Sequence, residues 1–246
     1  MAFQLGTIDF LVKELLPRIK HKGSVVSLAR QFITSNPKNV RAYLAKAGFR
    51  TKIDGYQWDR VMTSRELFLA FGFDRYDDID FNDDEGCNII HDLNRPIPTQ
   101  YHGKYDLVFE LGTLEHLFDI RTAFENIVRL VKVGGTVFHF SPLTWINHGF
   151  YNFSLTVFYD AYRSNGFSDM EFYLVAFPGD WAKNQSISYQ KTQFIPQQID
   201  VKPPKGAYAL VSFIATKDRE LEEFRVPIQA AYDPALKLKT PLKQFA

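Results

Sequence analysis

Short apolar runs alternate with amphipathic helical segments along most of this chain. Runs rich in β-branched and aromatic residues, bounded by turn residues, predict parallel β-strands that are buried on both faces. Five such strands are predicted over residues 23–29, 76–81, 87–93, 105–111 and 136–142. Two later runs, residues 170–177 and 208–217, predict an antiparallel pair of strands at one edge of the sheet.

Helices are predicted between these strands. Residues 120–131 carry apolar side chains at i, i+3, i+4, i+7, i+8 and i+11, directly after Asp119 as a candidate N-cap. Further helices are predicted over residues 39–49, 64–71 and 154–166, and an amphipathic helix at the N-terminus. Because parallel strands need helical crossovers that cover both faces, the sequence predicts an α/β fold with a doubly wound, mostly parallel seven-stranded sheet and an antiparallel C-terminal hairpin.

Composition narrows the class of protein. The chain has 246 residues, of which 46% are hydrophobic, enough for one sizeable core. Its 29 basic and 28 acidic residues give a formal net charge of +1, which supplies no bulk attraction for nucleic acid or an anionic membrane. The single cysteine, Cys87, cannot form an internal disulfide, and no run approaches the about 18 apolar residues of a membrane span. We therefore expect a cytoplasmic protein with neither nucleic acid nor membrane as a partner.

The predicted domain organisation is one α/β domain, residues 1–217, followed by a C-terminal tail, residues 218–246. An N-terminal helix precedes the first strand, and an insert at about residues 34–75 makes the first crossover about twice the usual length for α/β units. The insert forms either a lid or a structural elaboration. The tail is broken by prolines and mildly basic, and the sequence leaves open whether it wraps the domain or stays loose.

Two acidic residues follow predicted strands at the edge where ligands bind in such folds. Asp80 ends the second strand, and one carboxylate there can accept hydrogen bonds from both hydroxyls of a ribose. Asp92 ends the third strand, where it can accept a hydrogen bond from the amino group of adenine. Aspartate is also a common turn former and helix cap, so a purely structural role for both acids stays open.

The later strands and helices resemble those of a known protein family. The stretch YDLVFELGTLEHLFDIRTAFENIVRLVKVGGTVFHFSP, residues 105–142, resembles class I S-adenosylmethionine-dependent methyltransferases. In that family the fourth strand leads into a Leu-Glu-His turn, and a helix leads through a Lys-x-Gly-Gly turn into the fifth strand. The segments GCNIIHDLNRPIP, residues 86–98, and NHGFYNF, residues 147–153, resemble a bacterial subgroup of methyltransferase-domain proteins. The resemblance covers most of residues 23–167.

The resemblance implies a cofactor and a reaction. The cofactor is S-adenosylmethionine, which leaves as S-adenosylhomocysteine after its methyl group passes to oxygen or nitrogen of a small-molecule or sugar-containing (glycan) acceptor. Asp80 is implied at the ribose and Asp92 at the adenine. The other implied cofactor contacts are Ser27 and Ala29 by the methionine part, with Glu110 and Gly112 beneath the sulfonium.

The loop after the first strand departs from the family pattern. Members usually carry Gly-x-Gly there, whereas this chain has SLARQFI, residues 27–33, with Ala29 where glycine is common. A methyl group can block a close backbone approach or a positive φ. Arg30 can meet the cofactor's carboxylate, or it is an ordinary surface residue. The alternative function is therefore a noncatalytic domain of the same fold that has lost the cofactor loop and binds a ligand or partner.

Histidines supply the candidate catalytic groups. His148 and His116 are the candidate general bases, because imidazole titrates near neutral pH, although His116 can equally be a helix cap or spacer. Phe150 and Tyr151, beside His148, are expected to form a wall of the acceptor pocket. The remaining strand histidines, His91 and His139, are expected to be buried and hydrogen-bonded.

The sequence lacks the motifs of several other classes of enzyme. The sequence has no phosphate-binding loop, no nucleophile elbow and no dinucleotide fingerprint. It also has no cysteine and histidine cluster with zinc spacing, and methyl transfer from a sulfonium needs no metal, so no metal site is predicted. A homodimer is left open.

Overall fold

The computed structural model describes residues 3–178, 186–196, 202, 205 and 208–234. Within these residues the strands are β1 Ser24–Leu28, β2 Phe32–Ile33, β3 Met62–Thr63, β4 Arg75–Asp80, β5 Ile89–Ile90, β6 Tyr105–Glu110, β7 Val131–Pro142, β8 Phe167–Phe177, β9 Ser188–Thr192 and β10 Tyr208–Lys217. The α-helices are α1 Leu5–Phe10, α2 Pro37–Lys46, α3 Ser64–Ala70, α4 Ile120–Leu130 and α5 Leu155–Ser164. A π-helix, Leu11–Leu15, and a 3-10 helix, Leu16–Arg18, continue α1 and complete the predicted N-terminal helix.

One eight-stranded sheet forms the centre of the molecule, in the order β5-β4-β1-β6-β7-β10-β8-β9. Strands β5, β4, β1, β6 and β7 are parallel, and β10 is antiparallel to both β7 and β8. The chain runs outward from β1 to β4 and β5 and then returns to β6 on the other side of β1. This topology confirms the predicted fold class, a doubly wound and mostly parallel α/β sheet with antiparallel C-terminal strands.

The C-terminal strands differ from the prediction in their position. β8 and β10 pair with each other as predicted, but β10 is inserted between β7 and β8 and is therefore an interior strand. The edge is formed by β9, which the sequence analysis missed. Its residues, SYQKT, are exposed or half-buried, and they carry no apolar run that would predict a strand. The sheet consequently has eight strands where seven were predicted.

Two predicted boundaries are also wrong. α4 ends at Leu130, and β7 begins at once with Val131, before the two glycines that were expected to separate helix from strand. Pairing of β7 with β6 slips between Tyr105 and Leu107, so Gly134, at φ +82°, lies in an irregular start of β7. The third predicted strand shrinks to β5, because only Ile89 and Ile90 pair with β4, and a turn follows at residues 93–95.

Two apolar layers cover the sheet. On one face the N-terminal helix packs with α2 and α3, which contribute the buried residues Val40, Leu44, Leu67 and Phe68. On the other face α4 and α5 pack against the sheet through Phe124, Ile127, Phe158 and Tyr162.

The insert is part of the first of these layers. Tyr56 and Trp58 pack against the core cluster on that face, and β3 pairs with β2. Asn36 caps α2 by accepting a hydrogen bond from Lys38 N, 2.9 Å away. Thr63 and Glu66 form a capping box on α3, so Thr63 is the N-cap where the sequence had suggested Ser64. None of residues 34–75 lines the cavity described below.

Residues 218–234 of the tail lie against both α4 and α5, and Arg129 of α4 donates to the carbonyls of Leu221 and Glu222. The backbone N–H of Arg225 donates to Oδ1 of Asn165 at 2.8 Å, and the N–H of Ala230 donates to both carboxylate oxygens of Asp160 at 3.0 and 3.1 Å. Ala230 is buried as a result. The predicted tail continues beyond the described residues. In the part of the chain that the structure describes, no helix has the length and apolar character to cross a membrane.

Candidate cofactor and acceptor site

A cavity of about 650 Å³ lies at the carboxyl ends of β1, β4, β5 and β6. This is the position at which the strand order reverses, and ligands of doubly wound sheets bind there. The volume suits a ligand of nucleoside size. Six of the predicted site residues line it together: Ala29, Arg30, Asp80, Asp92, Gly112 and His116.

Ala29 forms the turn that leaves β1. Its φ is +62°, in the left-handed region that favours glycine, and its N–H donates to the carbonyl of Ile79 at 2.7 Å. The Ser27 hydroxyl donates to the carbonyl of Ala29 at 2.9 Å and helps to hold the turn. The backbone therefore adopts a glycine-like conformation despite the methyl group, at a cost of about 1–2 kcal/mol.

Asp80 faces this turn from the end of β4. Its Oδ2 accepts from Arg30 N at 3.1 Å, and its Oδ1 accepts from Phe81 N at 2.7 Å. Each carboxylate oxygen can accept more than one hydrogen bond, and the side chain is only half-buried, so Asp80 retains acceptor capacity toward the cavity. The two amide contacts fix the direction of the carboxylate.

Asp92 follows β5 and lines the same cavity as the Ala29 turn. Its Oδ1 accepts from the N–H and the side-chain amide of Asn94, both at 2.9 Å, and these bonds lower the pKa of Asp92 from its ordinary value. Its Oδ2 lies 3.6 Å from Nε of Arg95. The carboxylate is therefore ionised and oriented at neutral pH.

Asn126 of α4 anchors the loop that carries Asp92, and sequence reasoning missed it. Its Oδ1 accepts from Ile97 N at 2.7 Å, and its Nδ2 donates to the carbonyls of Leu93 and Arg95 at 3.0 and 2.9 Å. A polar residue on the otherwise apolar face of the predicted helix was the only signal in the sequence.

Arg30 is engaged on the far side of its turn. One guanidinium nitrogen donates to the carbonyl of Gly86 and lies 3.8 Å from Oδ2 of Asp78. The side chain is 20% exposed, so it is not a free surface residue. Its buried Nε has no hydrogen-bond partner among the described residues.

Two predicted cofactor residues, Ser27 and Glu110, do not line the cavity. Both are fully buried, because strand alternation turns their side chains into the layers beside the sheet. Glu110 accepts from His139 Nδ1 at 3.1 Å, from the Ser141 hydroxyl at 2.8 Å and from Thr113 N at 2.7 Å. Burial acts to raise the pKa of Glu110, but these partners outweigh it and lower the pKa. Glu110 therefore shapes the turn at Gly112 from inside the core.

The Leu-Glu-His turn is a 3-10 helix, Leu114–His116, and His116 lines the same cavity as Asp80 and Asp92. Glu115 is fully buried, and its Oε1 lies 3.4 Å from Nε2 of His148 and 3.9 Å from Nε2 of His116. The two imidazole centroids are 5.2 Å apart. The structure thus brings both predicted catalytic histidines together around an acid that sequence reasoning had not singled out. The sequence signal was the motif itself, whose glutamate precedes His116.

Burial is the largest cause of the pKa shifts of Glu115, His116 and His148. It raises the pKa of Glu115 to about 8, with a smaller contribution from the charge of Glu110. Burial lowers the pKa of His116, and burial together with the nearby His116 lowers the pKa of His148.

The predicted acceptor residues lie beside His148 and outside the cavity lining. Phe150 is 64% exposed and contacts Phe118 edge to face, with 5.4 Å between ring centroids. The Tyr151 hydroxyl donates to the carbonyl of Phe118 at 2.9 Å. Phe118 and Ile146 are also exposed, so an apolar rim surrounds the histidine end of the site.

The remaining strand histidines behave differently from each other. His139 is fully buried and contacts both Glu110 and the hydroxyl of Tyr162, which confirms the expectation for that residue. The expectation for His91 was wrong. Because β5 ends at Ile90, His91 lies beyond the strand and lines the cavity, with its Nε2 3.1 Å from the carbonyl of Arg95.

Comparisons with known proteins give a likeness in fold. Neither a protein-family model nor a curated protein matches the chain. Among solved structures, an S-adenosylmethionine-dependent methyltransferase from Thermotoga maritima is 12% identical with a TM-score of 0.43, covering 85% of this chain and 91% of its own. A methyltransferase in complex with the Trm112 activator from Haloferax volcanii is 12% identical with a TM-score of 0.44, covering 85% and 88%. YcgJ from Bacillus subtilis is 10% identical with a TM-score of 0.43, covering 86% and 99%.

All three TM-scores are below 0.5. The function argued below therefore depends on this chain's own residues. The sheet and its cavity define a doubly wound α/β protein with a ligand site at the point where strand order reverses.

Proposed function

We propose that this protein is an S-adenosylmethionine-dependent methyltransferase that acts on oxygen or nitrogen of a small-molecule or sugar-containing acceptor. The proposal is carried by one observation: Asp80 and Asp92, from the ends of neighbouring strands, line a single cavity together with the left-handed turn at Ala29. Two oriented carboxylates at these positions match the polar groups of an adenosine, a ribose diol and an amino group.

The residues of the cavity fit such a cofactor. Asp80 would accept from the ribose hydroxyls with the acceptor capacity that its two amide contacts leave free. Asp92 would accept from the adenine amino group. The turn at Ala29 gives a close backbone approach for the methionine part, and Arg30, which lines the cavity, would turn its guanidinium toward the carboxylate of that part.

The chain's own contribution to the reaction is positioning and exclusion of water. The bound cofactor supplies an already activated methyl group on a sulfonium, so an in-line approach of the acceptor is the main requirement. Gly112 and Thr113 line the same cavity as the two acids and His116, and the reacting centre would lie beside them. His116 and His148 stand at the acceptor end, and the apolar rim with Phe150 and Tyr151 would receive the body of the acceptor.

Binding is the direct test. Purified protein is titrated with S-adenosylmethionine and S-adenosylhomocysteine by calorimetry, and the melting temperature is followed in the same samples. We expect micromolar binding, and a stabilisation of about 2.7 kcal/mol when ligand reaches a hundredfold excess over Kd. Asp80→Ala should weaken binding about 10- to 100-fold, since a hydrogen bond to a charged group contributes about 1.5–3 kcal/mol.

The matched control is Asp54→Ala, an exposed acid of the insert that lies away from the cavity. It should leave the affinity for S-adenosylmethionine unchanged. No heat and no melting shift at millimolar cofactor would overturn the proposal and favour the noncatalytic domain of the same fold. Binding that Asp80→Ala and Asp54→Ala weaken equally would place the cofactor elsewhere.

A further inference from the structure

We propose that Glu115, His116 and His148 form a binding site for a first-row divalent metal ion of the Zn²⁺ and Co²⁺ type, at the acceptor end of the cavity. One carboxylate and two imidazoles are a ligand set that such ions take, with at least one coordination position left for substrate or water. The metal site stands on its own geometry, and only its role in methyl transfer rests on the proposed function.

The distances suit a shared ion. One ligand atom from each of the three residues lies within 4.8 Å of the other two. Glu115 Oε1 is 3.4 Å from His148 Nε2 and 3.9 Å from His116 Nε2. Ligand atoms about 2.0–2.1 Å from a tetrahedral ion are roughly 3.3 Å apart, so small side-chain movements would complete the site.

The polar atoms of this cluster lack other partners. Both carboxylate oxygens of Glu115 and Nε2 of His148 are buried, and none has a hydrogen-bond partner among the described residues. No lysine or arginine of the described residues pairs with Glu115. Buried polar atoms are nearly always satisfied, and an unsatisfied one costs about 1–3 kcal/mol. A cation between the three side chains would bind one carboxylate oxygen of Glu115 and Nε2 of His148, and so satisfy two of these three atoms.

The segment that carries His148 is fixed against Glu115. The His148 ring stacks on Trp145 with centroids 4.1 Å apart and planes inclined by 12°. The N–H of Trp145 donates to Oδ1 of Asn152 at 2.8 Å, and the N–H of Phe150 donates to the carbonyl of Glu115 at 2.7 Å. The ligands are therefore held in place before any ion binds, which is the arrangement that a metal site needs.

The cluster borders the cavity through His116, which alone of the three residues lines it. A cation there would bind an acceptor hydroxyl and lower its pKa. The hydroxyl proton would pass to solvent, the acceptor oxygen would form the new bond to the methyl carbon, and the carbon–sulfur bond would break with its electron pair left on sulfur. This chemistry narrows the acceptor to an oxygen nucleophile that can occupy the open coordination position of the ion.

The test uses metal binding as its readout, without cofactor. The full chain is stripped with a chelator, dialysed, and titrated with Co²⁺, while the visible absorption of the bound ion is recorded; Zn²⁺ is then added in competition. We expect one equivalent of Co²⁺ with absorption typical of mixed imidazole and carboxylate ligands, displaced by Zn²⁺. Glu115→Gln and His148→Ala should each weaken binding by about 100-fold, because each removes one of three protein ligands.

Two further variants keep the result interpretable. His116→Ala removes a half-exposed ligand with little risk to folding and should also lose the Co²⁺ spectrum. His21→Ala removes an exposed histidine that is not one of the three proposed ligands. This variant should bind Co²⁺ with the same affinity as the unchanged protein. Circular dichroism melting curves of every variant establish that it is folded.

The metal site would be overturned if no Co²⁺ spectrum appeared at millimolar metal. It would also be overturned if the unchanged protein and His116→Ala bound Co²⁺ with equal affinity. In either case His116 and His148 would be interpreted as proton acceptors. Failure here is distinguishable from failure of the proposed function. Cofactor binding by calorimetry does not require the metal, and the Co²⁺ spectrum does not require the cofactor.

Discussion

Nε2 of His148 lies 3.4 Å from Oε1 of Glu115, although the two residues belong to loops that follow different strands. The contact depends on Gly149, which lies directly on the backbone of Glu115. A Cβ at position 149 would be 2.6 Å from the carbonyl oxygen of Glu115 and 2.9 Å from its Cβ. Only a residue without a side chain allows the loop to approach this closely.

Gly149→Ala should therefore push the His148 loop away from Glu115. We expect unfolding stability to fall by about 1–3 kcal/mol, as for other overpacking substitutions, and affinity for Co²⁺ to fall with it. Urea denaturation and the Co²⁺ titration measure the two effects. Ile146→Ala, an exposed residue of the same loop, is the control and should stay within about 0.5 kcal/mol of the unchanged protein. Unchanged affinity for Co²⁺ in Gly149→Ala would contradict this account of the loop.

Ala29→Gly tests the turn beside the cofactor site. Glycine relieves the left-handed strain of about 1–2 kcal/mol but loses about 0.5–1 kcal/mol through greater freedom of the unfolded chain, so stability should hold or rise slightly. Ala45→Gly, at an exposed position of α2, should instead lose about 1 kcal/mol. Urea denaturation of both variants gives the comparison. Equal losses would argue against a strained Ala29.

The same Ala29→Gly variant tests whether the methyl group obstructs the cofactor. Because the backbone already has a glycine-like φ of +62°, we expect the affinity for S-adenosylmethionine to change by less than about threefold. Calorimetric titration measures it. A tenfold gain in affinity would instead mean that the methyl group blocks the approach of the ligand.

Glu110→Gln tests whether Glu110 stabilises the core or contacts the cofactor. The substitution leaves a buried hydrogen-bond network without its charge, and we expect unfolding stability to fall by about 3 kcal/mol while the affinity for S-adenosylmethionine changes little. Ser141→Ala removes only one donor to Glu110 and should cost about 1 kcal/mol. Denaturation and calorimetry at a temperature where both variants are folded give the answer. Full stability with weak cofactor binding would place the Glu110 side chain on the ligand.

Asp106, near the start of β6, should make the stability of the protein depend on pH. Burial acts to raise the pKa of Asp106, but hydrogen bonds from Lys132 at 2.9 Å and from Ser24 N at 2.7 Å outweigh it and lower the pKa. A carboxyl group whose pKa is lower in the folded state stabilises the protein above its unfolded pKa, and this stabilisation is lost as pH falls through the folded value.

Asp106→Asn should accordingly lower unfolding stability by about 1–2 kcal/mol at neutral pH. The difference should shrink below about pH 4, where Asp106 of the unfolded chain begins to bind a proton, and should vanish as pH falls through the lower folded-state pKa. Urea denaturation across this pH range measures the difference. Asp54→Asn, an exposed acid of the insert, should show no such dependence. A loss of stability that is the same at every pH would mean that the charge of Asp106 is not what stabilises the fold.

Local pattern was enough to predict most of the elements. The apolar periodicity of residues 120–131 predicted α4 to within one residue, and Asp119 caps it by accepting from Thr122 N at 3.1 Å. The runs at β1, β6, β8 and β10 were predicted for the same reason, because a buried strand is mostly apolar whichever neighbours it has. β4 was predicted too, although its sequence is RYDDID and its acids Asp77 and Asp78 are buried. The strand-end positions of Asp80 and Asp92 follow from chain order within a parallel sheet.

Tertiary structure alone decided the rest. β9 has no apolar pattern, because an edge strand is stabilised by backbone pairing with β8 and needs little burial of its own. An alanine in the sequence does not indicate that the backbone takes a left-handed conformation there. The φ of Ala29 depends instead on its contacts at the ends of β1 and β4.

The direction of a side chain at a strand end is likewise set by register and packing. Glu110 was placed beneath the ligand by resemblance, but pairing of β6 with its neighbours turns it toward His139 and the core. The Glu115 and His148 contact joins loops after β6 and β7, which become neighbours only when those strands pair. The sequence determined the fold class and the residue types available for chemistry, whereas long-range packing decided which of those residues meet.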